Sequence, residues 1–207
     1  MASVASPYGL KPVNLIGGQA YAGSTREFKV STNNSAAIFA GDVIQLTSAG
    51  NPQALTATIT TGTTAGVVGV CLGVRYVNPA TKQPLWGQYL PANAITNGYT
   101  DVYVVVADDP DVVFQVQGSA AFGSLTNGAA GAVGKNAALG NFSAGSTATG
   151  NSAVNLVVGA NGGSLANTAT LAMRVVGVVP GTESDTYPEI LVKFNFGAHS
   201  YYLATGV

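Results

Sequence analysis

Three carboxylates and a proline, Asp108-Asp109-Pro110-Asp111, interrupt two apolar runs in DVYVVVADDPDVVFQVQGSAA, residues 101–121. Such a group could hold a cation or supply the acid and base of a hydrolytic site. A calcium loop alternates its oxygen ligands and needs a central glycine and a late Glu. Here the carboxylates are nearly consecutive, Pro110 breaks them, and no Glu follows before Glu183. A carboxylate pair for sugar hydrolysis needs a cleft lined with aromatic and polar residues, and nothing nearby supplies a recognisable one. The four residues do fit a type I turn: Asp109 at the first position, Pro110 at the second with φ preset, Asp111 at the third. The pattern predicts a corner between two strands.

The other reactive groups are few. His199 is the only histidine, so any Ser-His-Asp triad must use it. No Gly-x-Ser-x-Gly elbow occurs, and a hydrogen-bonding or interface role for His199 is the simpler reading. Cys71, the only cysteine, alternates within an apolar run without an activating neighbour, which predicts a buried thiol. One Cys and one His make no soft-metal cluster. The run Gly128-Ala-Ala-Gly131-Ala-Val-Gly134-Lys135 resembles a phosphate loop, but position 129 is Ala and position 136 is Asn. Asn33-Asn34-Ser35 and Asn141-Phe142-Ser143 match the glycosylation triplet, as chance matches in an Asn- and Ser-rich chain without a visible secretory signal. No catalytic, metal or cofactor residue is assigned.

Composition narrows the class of protein. Charged residues make up 8% of 207 and the net charge is −1, where about 25% charged is usual. A surface of Ser, Thr, Asn, Gln, Gly and Ala is easily desolvated, because few ions lose their water when a partner covers it. Eight scattered basic residues give no basic patch, so nucleic acid is not an expected partner. No run approaches the ~20 apolar residues of a membrane helix. The absence of a leader pattern and the lone cysteine point to synthesis in a reducing cytoplasm.

Period-two alternation recurs, and helical periodicity is nearly absent. Phe28 and Val30 alternate with polar residues; Val68, Val70, Leu72, Val74 and Tyr76 would share one face of a long strand. Val112, Phe114 and Val116 form a third set, and Ile190, Val192, Phe194 and Phe196 a fourth. Further strands are expected at Val43–Ser48, Asp101–Ala107 and Leu171–Val179, with turns at Ala49-Gly50-Asn51-Pro52, Asn97-Gly98 and Pro180-Gly181. The fold class is therefore all-β, a sandwich or barrel of jelly-roll-like character. Residues 118–170 are the exception, since Lys135 is their only charge and Gly, Ala, Ser, Thr and Asn dominate. They read as a loop excursion ordered mainly on assembly, pinned by residues such as Phe122, Leu139, Val154 and Leu156, with at most one helical turn at Ala137-Ala138-Leu139. Residues 1–24 read as an N-terminal arm preceding a single β domain, 25–207, with return to the parent sheet as the alternative for either terminus.

Several strings resemble the cement, or head-decoration, proteins of tailed bacteriophages of the marine and cyanobacterial phage type. They are VADDPDVVFQVQGSA, ASPYGLKPVNLIGGQAYAGSTREF, GVVGVCLGVRYVNPATKQPLWGQYLP, VGKNAALGNFSAGSTATGNSAVNL and TATLAMRVVGVVPGTESDTYPEILVKFNFGAHSYY. They span nearly the whole chain and contain no catalytic signature. The resemblance implies an all-β virion protein on the capsid exterior that clamps neighbouring subunits of the major capsid protein, with self-association, by family analogy as a trimer. On that reading the interface anchors are Tyr8, Leu10, Val13, Leu15, Ile16 and Tyr21 in the arm, Trp86, and Tyr201 and Tyr202 near the end, since a few buried side chains carry most interface energy. Trp86 is expected in the core or at an oligomer contact. Rival readings are a tail-tube, fibre or vertex component, a main coat protein, and a carbohydrate-binding sandwich or hydrolase. The last would need a cluster of exposed aromatics, which nine scattered tyrosines do not reveal.

Overall fold

The computed structural model describes residues 4–60, 66–123, 125–142, 144–204 and 206. Met1–Ser3 of the expected arm and Ser143 of the second glycosylation triplet lie outside them. The two apolar runs around the acidic group form strands of different sheets, so the corner carries the chain from one sheet to the other. In chain order the strands are β1 (Lys11–Leu15), β2 (Arg26–Lys29), β3 (Ile38–Phe39), β4 (Val43–Leu46) and β5 (Pro52–Ala54). Then come β6 (Val67–Val77), β7 (Pro84–Gly87), β8 (Tyr89–Leu90), β9 (Thr100–Ala107) and β10 (Val112–Gln117). The short helix α1 (Gly128–Ala132) precedes β11 (Asn136–Gly140), β12 (Asn155–Val157), β13 (Met173–Val178) and β14 (Glu189–Phe194).

The first sheet has the order β1-β10-β14-β13-β11-β12 and the second β2-β9-β6-β4-β5, with β7 paired to the far end of β6. The ladders between these strands are antiparallel. The architecture is an all-β sandwich, and neither sheet closes into a barrel. Between the sheets, Val43, Val67, Val70 and Ala107 pack in one core with Phe114, Val116, Met173, Val175, Ile190, Val192 and Phe194. The other face of the second sheet builds a second core from Ile44, Val68, Cys71, Val74, Val104 and Val106, with Ile38 of β3 and Leu90 of β8.

Burial on both faces explains why β6 is apolar almost without interruption. It also corrects the expected alternation. Val70 and Leu72 belong to the core between the sheets, whereas Val68, Val74 and Tyr76 join the second core with Cys71. Register shifts beside Gly69 and between Cys71 and Gly73 account for the exchange of faces. Gly69 has φ +147°, and a Cβ there would lie 2.0 Å from the Ala107 carbonyl oxygen.

The segment 118–170 is likewise corrected. Strands β11 and β12 extend the first sheet at its edge, and Phe122, Ala137, Leu139, Val154, Leu156 and Val158 are buried. Its large apolar residues are sparse but placed to reach the core, while bonds such as Ser119 N to Leu156 O (2.9 Å) and Asn136 N to Ala166 O (2.8 Å) pair the backbone. Ala137-Ala138-Leu139 is strand; the helical turn is α1. Of the two readings of the first 24 residues, Lys11–Leu15 takes the return to the parent sheet: β1 pairs with β10 as the edge of the first sheet.

Candidate functional site

The acidic corner is a turn whose carboxylates are already paired. Val112 N–H donates to the Asp109 carbonyl at 3.2 Å, and Asp111 N–H to Asp109 Oδ1 at 2.8 Å. Asp108, buried, accepts the Tyr201 hydroxyl at 2.8 Å and ion-pairs with Arg26 Nε at 2.9 Å. Asp111 takes Lys193 Nζ at 2.5 Å and the Tyr202 hydroxyl at 3.0 Å, which together hold its carboxyl below the usual range. Ile16 N–H donates to the Asp111 carbonyl at 2.9 Å, so the end of β1 reaches the same corner. Among the described residues no group of three His, Cys, Asp or Glu could hold a metal ion.

His199 and Cys71 are both buried. The His199 ring is fully buried, with Nε2 3.0 Å from the Val68 carbonyl and Nδ1 accepting the Tyr201 N–H at 3.3 Å. That pair of contacts fixes the neutral tautomer protonated at Nε2. Burial lowers its pKa against the pull of the Val68 carbonyl and of Asp108 and Asp109. Cys71 is buried and its thiol pKa is pushed up, first by burial and then by Asp42. Asp42, also buried, accepts the Phe39 N–H at Oδ2 (2.7 Å), and its Oδ1 has no partner within hydrogen-bonding geometry. Burial pushes its carboxyl up to about 6, partly offset by the Ser152 hydroxyl and the Phe39 N–H.

Around the corner the structure gathers residues from both ends of the chain. Tyr201 lies on the 3-10 turn Ser200–Tyr202 and is 47% exposed; Ile16, just after β1, is 51% exposed. Tyr202 stacks on Phe196 with ring centres 5.7 Å apart, and Phe196 is 77% exposed. Tyr21 donates its hydroxyl to the Ser24 carbonyl at 2.6 Å, and its pKa is raised by burial and then by Asp108 and Asp109. Phe196 was expected to continue the core face of its strand. Instead β14 ends at Phe194, Asn195 N–H bonds the Ala172 carbonyl, and Ala198 N–H bonds back to Asn195, a turn that points Phe196 outward.

The remaining expected anchors are elsewhere. Leu10 is 1% exposed within the core between the sheets, so it cannot serve as an anchor without leaving its own fold. Leu15 packs against the same core. Tyr8 donates its hydroxyl to the Glu189 carboxylate, with Lys11 Nζ 4.2 Å above its ring. Val13 is exposed where β1 is irregular.

Trp86 is exposed and not in the core. Its strand register builds a row across four strands: Lys29 of β2 opposes Tyr103 of β9, Tyr103 opposes Arg75 of β6, and Arg75 opposes Trp86 of β7. The Arg75 guanidinium carbon lies 4.2 Å from the Tyr103 ring centre and 5.9 Å from that of Trp86. Its Nη2 pairs with Glu27 at 2.9 Å. Period-two patterns place these side chains outward, but which of them stand opposite one another is set by register, which the sequence does not display.

Comparison with known protein families, curated proteins and solved structures found no match to this chain.

Proposed function

We propose that this chain is a structural virion protein, a cement protein that docks on the outside of a bacteriophage head and clamps neighbouring subunits of the major capsid protein. The observation that carries this reading is the corner patch of Ile16, Phe196, Tyr201 and Tyr202. There, Asp108 and Asp111 fix the two tyrosines by hydrogen bonds, and exposed Phe196 stacks on Tyr202, in a chain with only 8% charged residues. Aromatic side chains on a preorganised base make strong interface anchors, because little conformational freedom is lost when a partner covers them. The uncharged polar surface around them can be desolvated at low cost in a lattice. A ligand that binds only the assembled shell stabilises it by mass action, and no catalytic group is required. Self-association, with a trimer as the family analogy implies, belongs to the same reading.

Quantitative mass spectrometry of purified virions, relative to the coat protein, tests it. A ratio near one fits a cement protein. A few copies per particle would instead assign the chain to a tail, fibre or vertex, and absence from the particle would remove the virion role.

A further inference from the structure

We propose that the outer edge of β2 is the docking site for a second copy of this chain, joined antiparallel across a two-fold axis at Phe28. The contact belongs to the free chain and does not rest on the capsid role. Being two-fold, it is distinct from the trimer of the family analogy, which needs a head-to-tail contact elsewhere.

The backbone decides which groups are on offer. β2 ends the second sheet and pairs only with β9. Lys29 stands opposite Tyr103, which puts Val30 opposite Val102, and the Val30 N–H donates to the Val102 carbonyl at 2.9 Å. Along an antiparallel ladder, hydrogen-bonded and non-hydrogen-bonded pairs alternate. Arg26, Phe28 and Val30 therefore turn their N–H and C=O groups toward β9, and Glu27 and Lys29 turn theirs away. Among the described residues nothing bonds the four outward groups, and both residues are exposed. Beyond Lys29 the edge is closed, because Asn51 Oδ1 accepts the N–H of Ser31 at 2.7 Å and of Thr32 at 3.1 Å.

An unpaired edge is a template for another strand, and here the side chains select the strand and its register. A second β2 can oppose outward groups to outward groups in three antiparallel registers. One sets Glu27 against Glu27 and another Lys29 against Lys29, each with like charges directly opposed. The third centres on Phe28. Glu27 of each copy then faces Lys29 of the other, so opposite charges meet and all the outward groups pair in four main-chain hydrogen bonds. Arg26 falls opposite Val30 and meets no like charge. Lys29 makes no ion pair within its own chain among the described residues. Glu27 holds Arg75 Nη2 through Oε2 at 2.9 Å, and a carboxylate has further acceptor positions. Phe28, half-buried against the second core, meets Phe28 of the second copy beside the axis. An ion pair on an exposed edge adds little affinity, so its effect here is to fix the register. The second sheets of two copies would thereby continue into one another.

Sedimentation velocity of the full-length protein, from about 10 µM to 1 mM to suit a contact smaller than a standard interface, tests the association. The expected result is a monomer–dimer equilibrium. Lys29→Glu puts acidic side chains opposite one another twice and should weaken the dimer about tenfold or more, while melting like the parent because the side chain is exposed. Cysteine pairs test the register, since Cys71 is buried and is the only native thiol. Phe28→Cys should cross-link with itself on mild oxidation, because the two positions face each other within disulfide reach. Glu27→Cys and Lys29→Cys, exposed positions that leave the core intact, should cross-link when mixed and not alone. A parent that stays monomeric across the range overturns the proposal. So does an oligomer that Lys29→Glu leaves unchanged, which would join through another face. Cross-linking of Glu27→Cys alone or of Lys29→Cys alone overturns it as well, because the copies would then meet in a different register.

Discussion

Tyr201 donates its hydroxyl to Asp108 at 2.8 Å across 93 residues of sequence. That bond closes the end of the chain onto the corner between the two sheets, where Arg26 approaches from β2 and Lys193 from β14. The acidic group is thus a clasp for three separate segments.

Removing the hydroxyl tests the clasp. Tyr201→Phe leaves the ring and takes one donor from a buried carboxylate, which should cost about 1 kcal/mol, somewhat below the usual range for a charged acceptor because Tyr201 is half exposed. Urea denaturation measures the loss, and digestion by a carboxypeptidase should run faster as the terminal turn loosens. Unchanged stability together with an unchanged digestion rate would mean the bond does not hold the terminus.

Much of this arrangement was legible in the residues. Asp109-Pro110-Asp111 specifies its own turn, because proline presets φ and the Asp109 side chain accepts the N–H of Asp111, two residues on. Val112, Phe114 and Val116 announce a strand with an inward face. What stayed hidden depends on non-local pairing. Gly69 reads as one small residue among several in β6, yet it is one of two places where the strand exchanges faces. The segment 118–170 looks too poor in apolar bulk to fold, but its few large side chains meet a core already built by β10, β13 and β14. Phe196 obeys the strand alternation and escapes it because Asn195 starts a turn. Trp86 carries no local mark of exposure, and its row exists only once four strands are in register.

The face exchange at Gly69 gives a sharp stability prediction. Gly69→Ala would drive a methyl into the Ala107 carbonyl oxygen at 2.0 Å and force an L-residue to φ +147°. Neither can be relieved without moving β6 against β9, so a loss of about 3 kcal/mol or more is expected, with a steep fall in soluble yield. A melting temperature within a degree or two of the parent would show that the ladder can shift at this point.

Asp42 makes stability depend on pH in an unusual direction. Its carboxyl titrates at about 6 in the folded chain, because of burial, against about 3.9 when unfolded. The folded state therefore holds the proton more tightly, and this contribution is fully present below pH ~4 and lost as pH rises through about 6. Asp42→Asn removes the dependence. Whatever its offset, the stability of the variant relative to the parent should rise between pH 4 and pH 7.5, by up to about 3 kcal/mol. A flat difference across that range would show that Asp42 ionises freely.

His199 acts in the opposite sense. Its folded pKa is lowered, chiefly by burial, so the unfolded chain takes up a proton first as pH falls below about 6.5. Stability from neutral His199 is present above that value and lost below it. The facing groups are the Val68 carbonyl, Asp108, Asp109 and Lys193, and the packed rings are Phe194, Tyr201 and Tyr202. In the Asp42→Asn background, His199→Gln should be destabilised at pH 8 through lost packing, with the gap to its parent narrowing toward pH 5. A gap that stays constant would mean the histidine does not titrate differently on folding.

The corner patch yields the prediction that bears on assembly. Phe196 and Ile16 are exposed and contribute little to the fold, so Phe196→Ser combined with Ile16→Ser should shift stability by only about 0.5 kcal/mol per site. The same pair would remove two exposed apolar anchors from a proposed interface, where such residues carry a large share of the binding energy. Undecorated heads mixed with the double variant should therefore sediment without it, whereas the parent co-sediments at about one copy per coat subunit. Asp108 and Asp111 still hold Tyr201 and Tyr202 in place in this variant, so lost binding would be assigned to the missing surface rather than to a loosened terminus. Decoration at the parental level would place the contact with the shell on another face of the sandwich.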